Sequence, residues 1–214
     1  MSSNMDYTLF SYWRSSCSWR VRIVLSIKNI PHHYHAINLL SGEQKGDEFI
    51  EKNPLKQVPY LHGEGVGISQ SLAIIHYLED IQPTPSVLPS TPILRAKMWE
   101  ICEIINSWIQ PLQNLTIINR IEALGGNKTE WAAEVITDGL RAVERVLEQV
   151  AGTYCVGDQL TIADACLVPQ VYNARRFNVD LTPFPIVSRV TEALLALPEI
   201  QRAAPENQPD AVKA

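Results

Sequence analysis

Pro83, Pro85, Pro89 and Pro92 crowd the stretch Gln82–Pro92 and divide the chain into two parts of different pattern. Proline fixes φ and removes a backbone donor, so this stretch reads as a stiff, extended linker. Ahead of it, strand and helix patterns alternate; behind it, only helical periodicity is found. The division predicts an α/β domain over residues 1–83, a linker at 84–92 and an all-α domain over 93–214.

The first domain reads as βαβ followed by ββα. Tyr7–Ser11 alternates as a strand, and Ser18–Lys28 carries the first helix. Tyr34–Asn38 reads as the second strand, followed by an irregular polar stretch, Ser41–Asn53, with a short helix near its end. Val58–Leu61 and Val66–Ile68 read as strands of a hairpin closed through His62–Gly65. Leu72, Ile75, His76, Leu78 and Glu79 give a helix that ends before Pro83. In the second domain the helices fall at Leu94–Glu122, Thr129–Val150, Ile162–Arg176 and Pro185–Leu197. Pro111 should kink the first of these by crowding the carbonyl of Ser107. Thr161 and Asp164 form a capping box. The tail from Pro205 reads as polar and irregular.

Composition excludes several classes. No apolar run approaches the roughly 18 residues needed to span a bilayer, so no membrane partner is expected. Met1–Thr8 carries no signal-peptide pattern. A net charge of -5 without a Lys/Arg cluster argues against nucleic acid as a partner. Cys17, Cys102, Cys155 and Cys166 lack metal-type spacing, so free thiols in a reducing compartment are expected, the cytoplasm first, with mitochondrial presence left open. Asn114-Leu115-Thr116 and Asn127-Lys128-Thr129 match a glycosylation sequon; without export both are chance matches.

The stretch most suited to chemistry is Ser15-Ser16-Cys17-Ser18-Trp19-Arg20-Val21-Arg22-Ile23, where a strand turns into a helix. The unpaired N–H groups of a helix start, with the helix dipole, favour negative charge. Hydroxyls placed there can donate to a thiolate brought by a ligand. Lowering a thiol pKa from about 8.5 by two units requires about 2.7 kcal/mol. One charge-assisted hydrogen bond contributes roughly 1.5–3 kcal/mol and a helix N-terminus roughly 0.3–1. One serine at a helix end is therefore sufficient, although Ser15 and Ser16 read equally well as plain N-caps. Cys17, after two serines, is assigned a supporting role rather than that of nucleophile.

Other candidates are less specific. Val58-Pro59, if cis, would turn backbone groups toward a peptide-like ligand, but most X-Pro bonds are trans. Gln70-Ser71 opens a helix and suits a ligand carboxylate or a plain cap. Gln110, Gln113 and Asn114 fall on one face of the kinked helix, which is either a ligand face or a solvated one. Arg14, Arg20, Arg22, Arg175 and Arg176 offer bidentate carboxylate partners.

Taken together, the Ser15–Ile23 stretch, Asn53–Pro59, Gln70–Ile75, Gln110–Leu115, Val156–Asp164 and Asn207–Asp210 resemble the zeta class of glutathione transferases over nearly the whole chain. The resemblance implies a thioredoxin-like N-terminal α/β domain, an all-α C-terminal domain and a homodimer. It implies glutathione held by Ser15, Ser16 and Cys17 with neighbouring Ser18, Trp19 and Arg20, and by Gln44, Val58, Pro59, Gln70 and Ser71. Gln110, Asn114, Leu115 and Thr116 match contacts from the helical domain. Arg176 matches an arginine for the substrate carboxylate, with Arg175, Arg14 and Arg22 as further candidates. The implied reaction is cis–trans isomerisation of maleylacetoacetate to fumarylacetoacetate, in phenylalanine and tyrosine catabolism. Thiolate adds to the double bond and leaves again, and transferase activity on small α-halo acids accompanies it. The alternatives are a mainly conjugating or dehalogenating transferase and a non-enzymatic glutathione-binding module. A dithiol thiol transferase is disfavoured because serine stands where it would need cysteine.

Overall fold

The computed structural model describes residues 7–212. The reading of Met1–Thr8 therefore lies outside it, apart from Tyr7 and Thr8. The chain forms two compact units: one runs to Ser86 and regains the chain at Pro198, and the other is Val87–Leu197.

In the first unit the elements are β1 Tyr7–Ser11, α1 Ser16–Lys28, β2 His32–Ala36, α2 Asp47–Lys52, β3 Tyr60–Gly63, β4 Val66–Ser69 and α3 Ser71–Ile81. Their order in the sheet is β2-β1-β3-β4, with β1 and β2 parallel and the remaining pairs antiparallel. This is the mixed sheet expected of the α/β domain. Two strands sit two residues from their expected places. β2 ends at Ala36 because the exposed Asn38 opens a turn: its Oδ1 accepts from the N–H groups of Leu40 and Ser41. β3 begins at Tyr60, since Pro59 offers no N–H to the ladder. The hairpin turn is Glu64-Gly65, both at positive φ, as tight two-residue hairpin turns require.

Alternation along β1 and β3 creates two apolar faces. Tyr7, Leu9 and Leu61 are buried on one, where Tyr7 Oη meets Tyr77 Oη of α3 at 2.9 Å. Phe10 and Tyr60 face the other way, into a cluster with Tyr12, Ile37, Val58 and Phe49 of α2. α1 packs against α3 and also against α10 (Pro198–Ala203). α10 is unexpected from sequence. The tail beyond it is not irregular: Asn207 Nδ2 donates to Gln201 O at 2.7 Å, and Gln208 Nε2 to Ala204 O at 2.9 Å. This C-terminal segment, expected in the helical domain, belongs to the first unit.

In the second unit the elements are α4 Pro92–Glu103, a π-helical turn Ile104–Ile109, α5 Gln110–Gln113, α6 Leu115–Ala123, α7 Lys128–Val150, α8 Ile162–Arg176 and α9 Pro185–Leu195. The expected long helix over Leu94–Glu122 is thus corrected. The wide turn precedes Pro111, with Gln110 N–H reaching Ile105 O, and the helix breaks at Asn114. Asn114 and Asn127 cap α6 and α7 through their side chains. Among the described residues no helix is long and apolar enough to cross a membrane.

Two buried carboxylates organise this unit. Asp164, fully buried, accepts from Thr161 N–H at 2.7 Å in the expected capping box and from Cys155 N–H at 2.8 Å. Glu144 of α7 accepts from Ile186 and Val187 N–H at 2.8 Å each, doing at the start of α9 what Phe184 cannot do as its N-cap residue. Glu144→Ala should cost about 1–2 kcal/mol by removing that cap, measurable as a lowered denaturant midpoint with unchanged slope.

Candidate active site

Strand register sets where the candidate residues of the first unit meet. Phe10 pairs with Tyr60, Tyr60 with Ser69, and Ser11 with Ala36. The segments that leave these strands at this end are Tyr12–Ser15, Ile37–Gln44, Val58-Pro59 and Gln70-Ser71. Four separate stretches of sequence are therefore brought to one edge of the sheet, outside the carboxyl ends of the two parallel strands. Both α1 and α3 begin there, so two helix N-termini face the same region.

At the first of these, α1 begins at Ser16, two residues earlier than expected, with Ser15 as N-cap. Ser15 Oγ accepts from Ser18 N–H at 3.2 Å, while Trp19 N–H reaches Ser15 O at 2.9 Å. The two readings of Ser15 are compatible. A hydroxyl that accepts from the helix keeps its own O–H to donate. By helix geometry the N–H groups of Ser16 and Cys17 have no intrahelical partner. Ser15, Ser16 and Cys17 are all half-buried; all four cysteines are free thiols, and Cys102, Cys155 and Cys166 are buried where Cys17 is not. Burial pushes the Cys155 thiol well above its ordinary value, which makes it inert.

The neighbouring side chains are corrected. Ser18, Trp19 and Arg20 are buried and present no side chain to a ligand in solution. Arg20 instead reaches from α1 to the start of α3, where Nη1 donates to Ser71 Oγ at 3.4 Å. Arg22 is withdrawn as a carboxylate partner, because its guanidinium is spent on protein oxygens. Nε donates to Ala203 O at 3.0 Å, Nη1 to Ser11 Oγ at 3.1 Å and Nη2 to Trp13 O at 2.9 Å. Burial pulls its pKa down to about 10, with Tyr34 and Asp210 opposing, so it stays charged near neutrality. Arg14 is half-buried and lies 5.3 Å from the centre of the Trp13 ring.

Val58-Pro59 is cis, against the sequence expectation. Gln70 is exposed at φ 75 and makes no side-chain cap, while Ser71 is buried beside Arg20. Gln44 sits in the 3-10 turn Glu43–Lys45, and its Nε2 approaches Leu39 O at 3.5 Å. Gln44 Oε1 is buried without a hydrogen-bond partner among the described residues. These groups fit glutathione: a hydroxyl and helix N-terminus suit its sulfur as an anion, and an amide and a second helix start suit the polar ends of a tripeptide.

Gln113 is a core residue, not part of an exposed face: its amide and that of Gln170 donate to each other at 2.9 and 3.2 Å. Gln110 is half-buried. Asn114 Oδ1 accepts from Thr116 N–H at 3.1 Å, and Leu115 and Thr116 are exposed. Arg175 and Arg176 are both exposed at the end of α8; Arg176 Nη1 donates to Asn173 Oδ1 at 3.2 Å.

Comparison with known proteins bears on the family of the chain. The family models for the glutathione S-transferase N-terminal and C-terminal domains match residues 5–80 and 121–203. The chain is 50% identical over 208 residues to a maleylacetoacetate isomerase of Dictyostelium discoideum, covering 95% of each chain. It is 50% identical over 204 residues to that of Mus musculus, covering 94% of each. Among solved structures, a maleylacetoacetate isomerase from Anaeromyxobacter dehalogenans with glutathione in its active site superposes with a TM-score of 0.89. It is 42% identical, over 97% of this chain and 99% of that one. A maleylpyruvate isomerase, described as a bacterial zeta-class glutathione S-transferase, gives a TM-score of 0.93 at 37% identity, over 96% and 100%. A mixed sheet with its donors at one edge, a helical unit of the matching kind and half-identical relatives along nearly the full length lead to one conclusion: this chain belongs to the glutathione S-transferase family, within the zeta class that contains the maleylacetoacetate isomerases.

Proposed function

We propose that the protein is a glutathione-dependent cis–trans isomerase of maleylacetoacetate. The observation that carries this reading is Ser15: it caps α1 through its oxygen and keeps its O–H for a sulfur anion. Bound glutathione would supply a thiolate that adds reversibly to the activated alkene of the substrate. Ser15 donates to the sulfur, and the N–H groups of Ser16 and Cys17 add their share of the helix-end field. Cys17 shapes the site beside them. Gln44, Val58, Pro59, Gln70 and Ser71 hold the tripeptide, with Gln110, Asn114, Leu115 and Thr116 proposed as contacts from the helical unit. Ser18, Trp19 and Arg20 support these groups from within the core.

For the substrate dianion, Arg176 is the proposed carboxylate partner, with Arg175 adjacent and Arg14 as a further cation. A homodimer in the cytoplasm is part of the same reading. Four free cysteines suit a reducing compartment.

Turnover of maleylacetoacetate with catalytic glutathione tests the proposal. Isomerisation with no net loss of glutathione is the expected result. Consumption of glutathione against an α-halo acid, with no isomerisation, would replace this reading by that of a conjugating transferase. Binding of glutathione without turnover of either substrate would leave only a binding module.

A further inference from the structure

We propose that Asp210, in the C-terminal tail, is a positioning residue of the thiol site. The proposal rests on the reading that the Ser15 turn holds the glutathione sulfur. Trp13 stands two positions ahead of Ser15, in the turn that places it. Its N–H donates to Asp210 Oδ2 at 3.0 Å across a sequence separation of 197 residues. The other carboxylate oxygen of Asp210 accepts from Tyr34 Oη at 2.7 Å, which fixes the carboxylate on β2.

The same peptide segment is held from its other side. Arg22 Nη2 donates to Trp13 O at 2.9 Å, and Nη1 to Tyr12 O at 3.4 Å. Ser15 N–H closes the turn on Tyr12 O at 2.9 Å. Arg22 Nε in turn reaches Ala203 O of α10. Both peptide groups of Trp13 are thus fixed, one by an arginine of α1 and one by an aspartate of the tail. Neither residue is offered to a ligand: their task is to hold the backbone that carries Ser15.

Hydrogen bonds to a sulfur anion depend steeply on distance and angle, and small misplacements of a donor are costly. Loosening Trp13 should therefore weaken the donation by Ser15 even though Ser15 itself is intact. A tail that merely adds stability would have no such effect.

The test uses the full chain and glutathione itself. The ultraviolet absorbance of the bound thiolate is titrated against pH, and the affinity for glutathione is measured by calorimetry. In Asp210→Ala the bound thiol's pKa should rise by about one unit, a roughly tenfold loss of thiolate near neutrality. Asp210→Asn, which keeps an oxygen for Trp13 N–H, should fall between that variant and the parent, and Tyr34→Phe should shift the pKa in the same direction by less. Glu144→Ala, which destabilises the helical unit alone, serves as the control for stability and should leave the thiol pKa where it was. If Asp210→Ala lost stability but titrated as the parent does, the residue would be a tail anchor and the proposal would be wrong. If the parent chain itself bound no glutathione, the underlying reading would be at fault instead. Should Asp210→Ala unfold, Asp210→Asn and Tyr34→Phe carry the decision: an unshifted thiol pKa in both overturns it.

Discussion

Ser15→Ala is expected to lower turnover by roughly 10–150-fold, the equivalent of one lost charge-assisted hydrogen bond of about 1.5–3 kcal/mol. The same change removes the acceptor of Ser18 N–H, so it should also cost about 0.5–2 kcal/mol of stability as a lost N-cap. The two effects can be separated. Ser15→Asp retains an oxygen that caps α1 but replaces the donated proton with a negative charge beside the sulfur. It should recover the stability of the parent and yet be at least as inactive as the alanine variant. Turnover measured together with the denaturant midpoint checks both. An Ser15→Ala protein of unchanged activity would remove Ser15 from the chemistry and leave it as a helix cap.

The second large effect concerns stability. Asp164→Ala should cost about 3–5 kcal/mol, because it leaves Cys155 N–H, Thr161 N–H and Thr161 Oγ without their acceptor in a fully buried place. For a chain of this size that corresponds to a fall in Tm on the order of 10 °C, readable by calorimetry. Asp164→Asn should lose less, since one oxygen remains to accept. A loss below about 1 kcal/mol in the alanine variant would mean that the loop at Cys155 rearranges to satisfy itself.

What could be read from the sequence followed the range of the interactions involved. Ser15 and Thr161 with Asp164 are local signals, and the structure places caps accordingly. The helix of Ile162–Arg176 carries both its capping box and its basic last turn in sequence, and its limits are as expected. Contacts across long separations left no such mark. Nothing near Trp13 announces that its N–H meets Asp210, and nothing in Arg22 distinguishes a buried clamp from a carboxylate partner. Gln113 misled because a regular helix would put it beside Gln110 on one face. That face turns to the interior at Gln113, whose amide pairs with Gln170 in the core. The six residues of α10 were too few to show periodicity, and their place is set by packing on α1.

The most direct measurement is the pH titration of glutathione bound to the unaltered protein, followed by thiolate absorbance. A hydroxyl and a helix N-terminus acting together should bring the sulfur's midpoint about two units below the ordinary thiol value near 8.5. A midpoint equal to that of free glutathione would contradict the claim that this turn holds the sulfur as an anion.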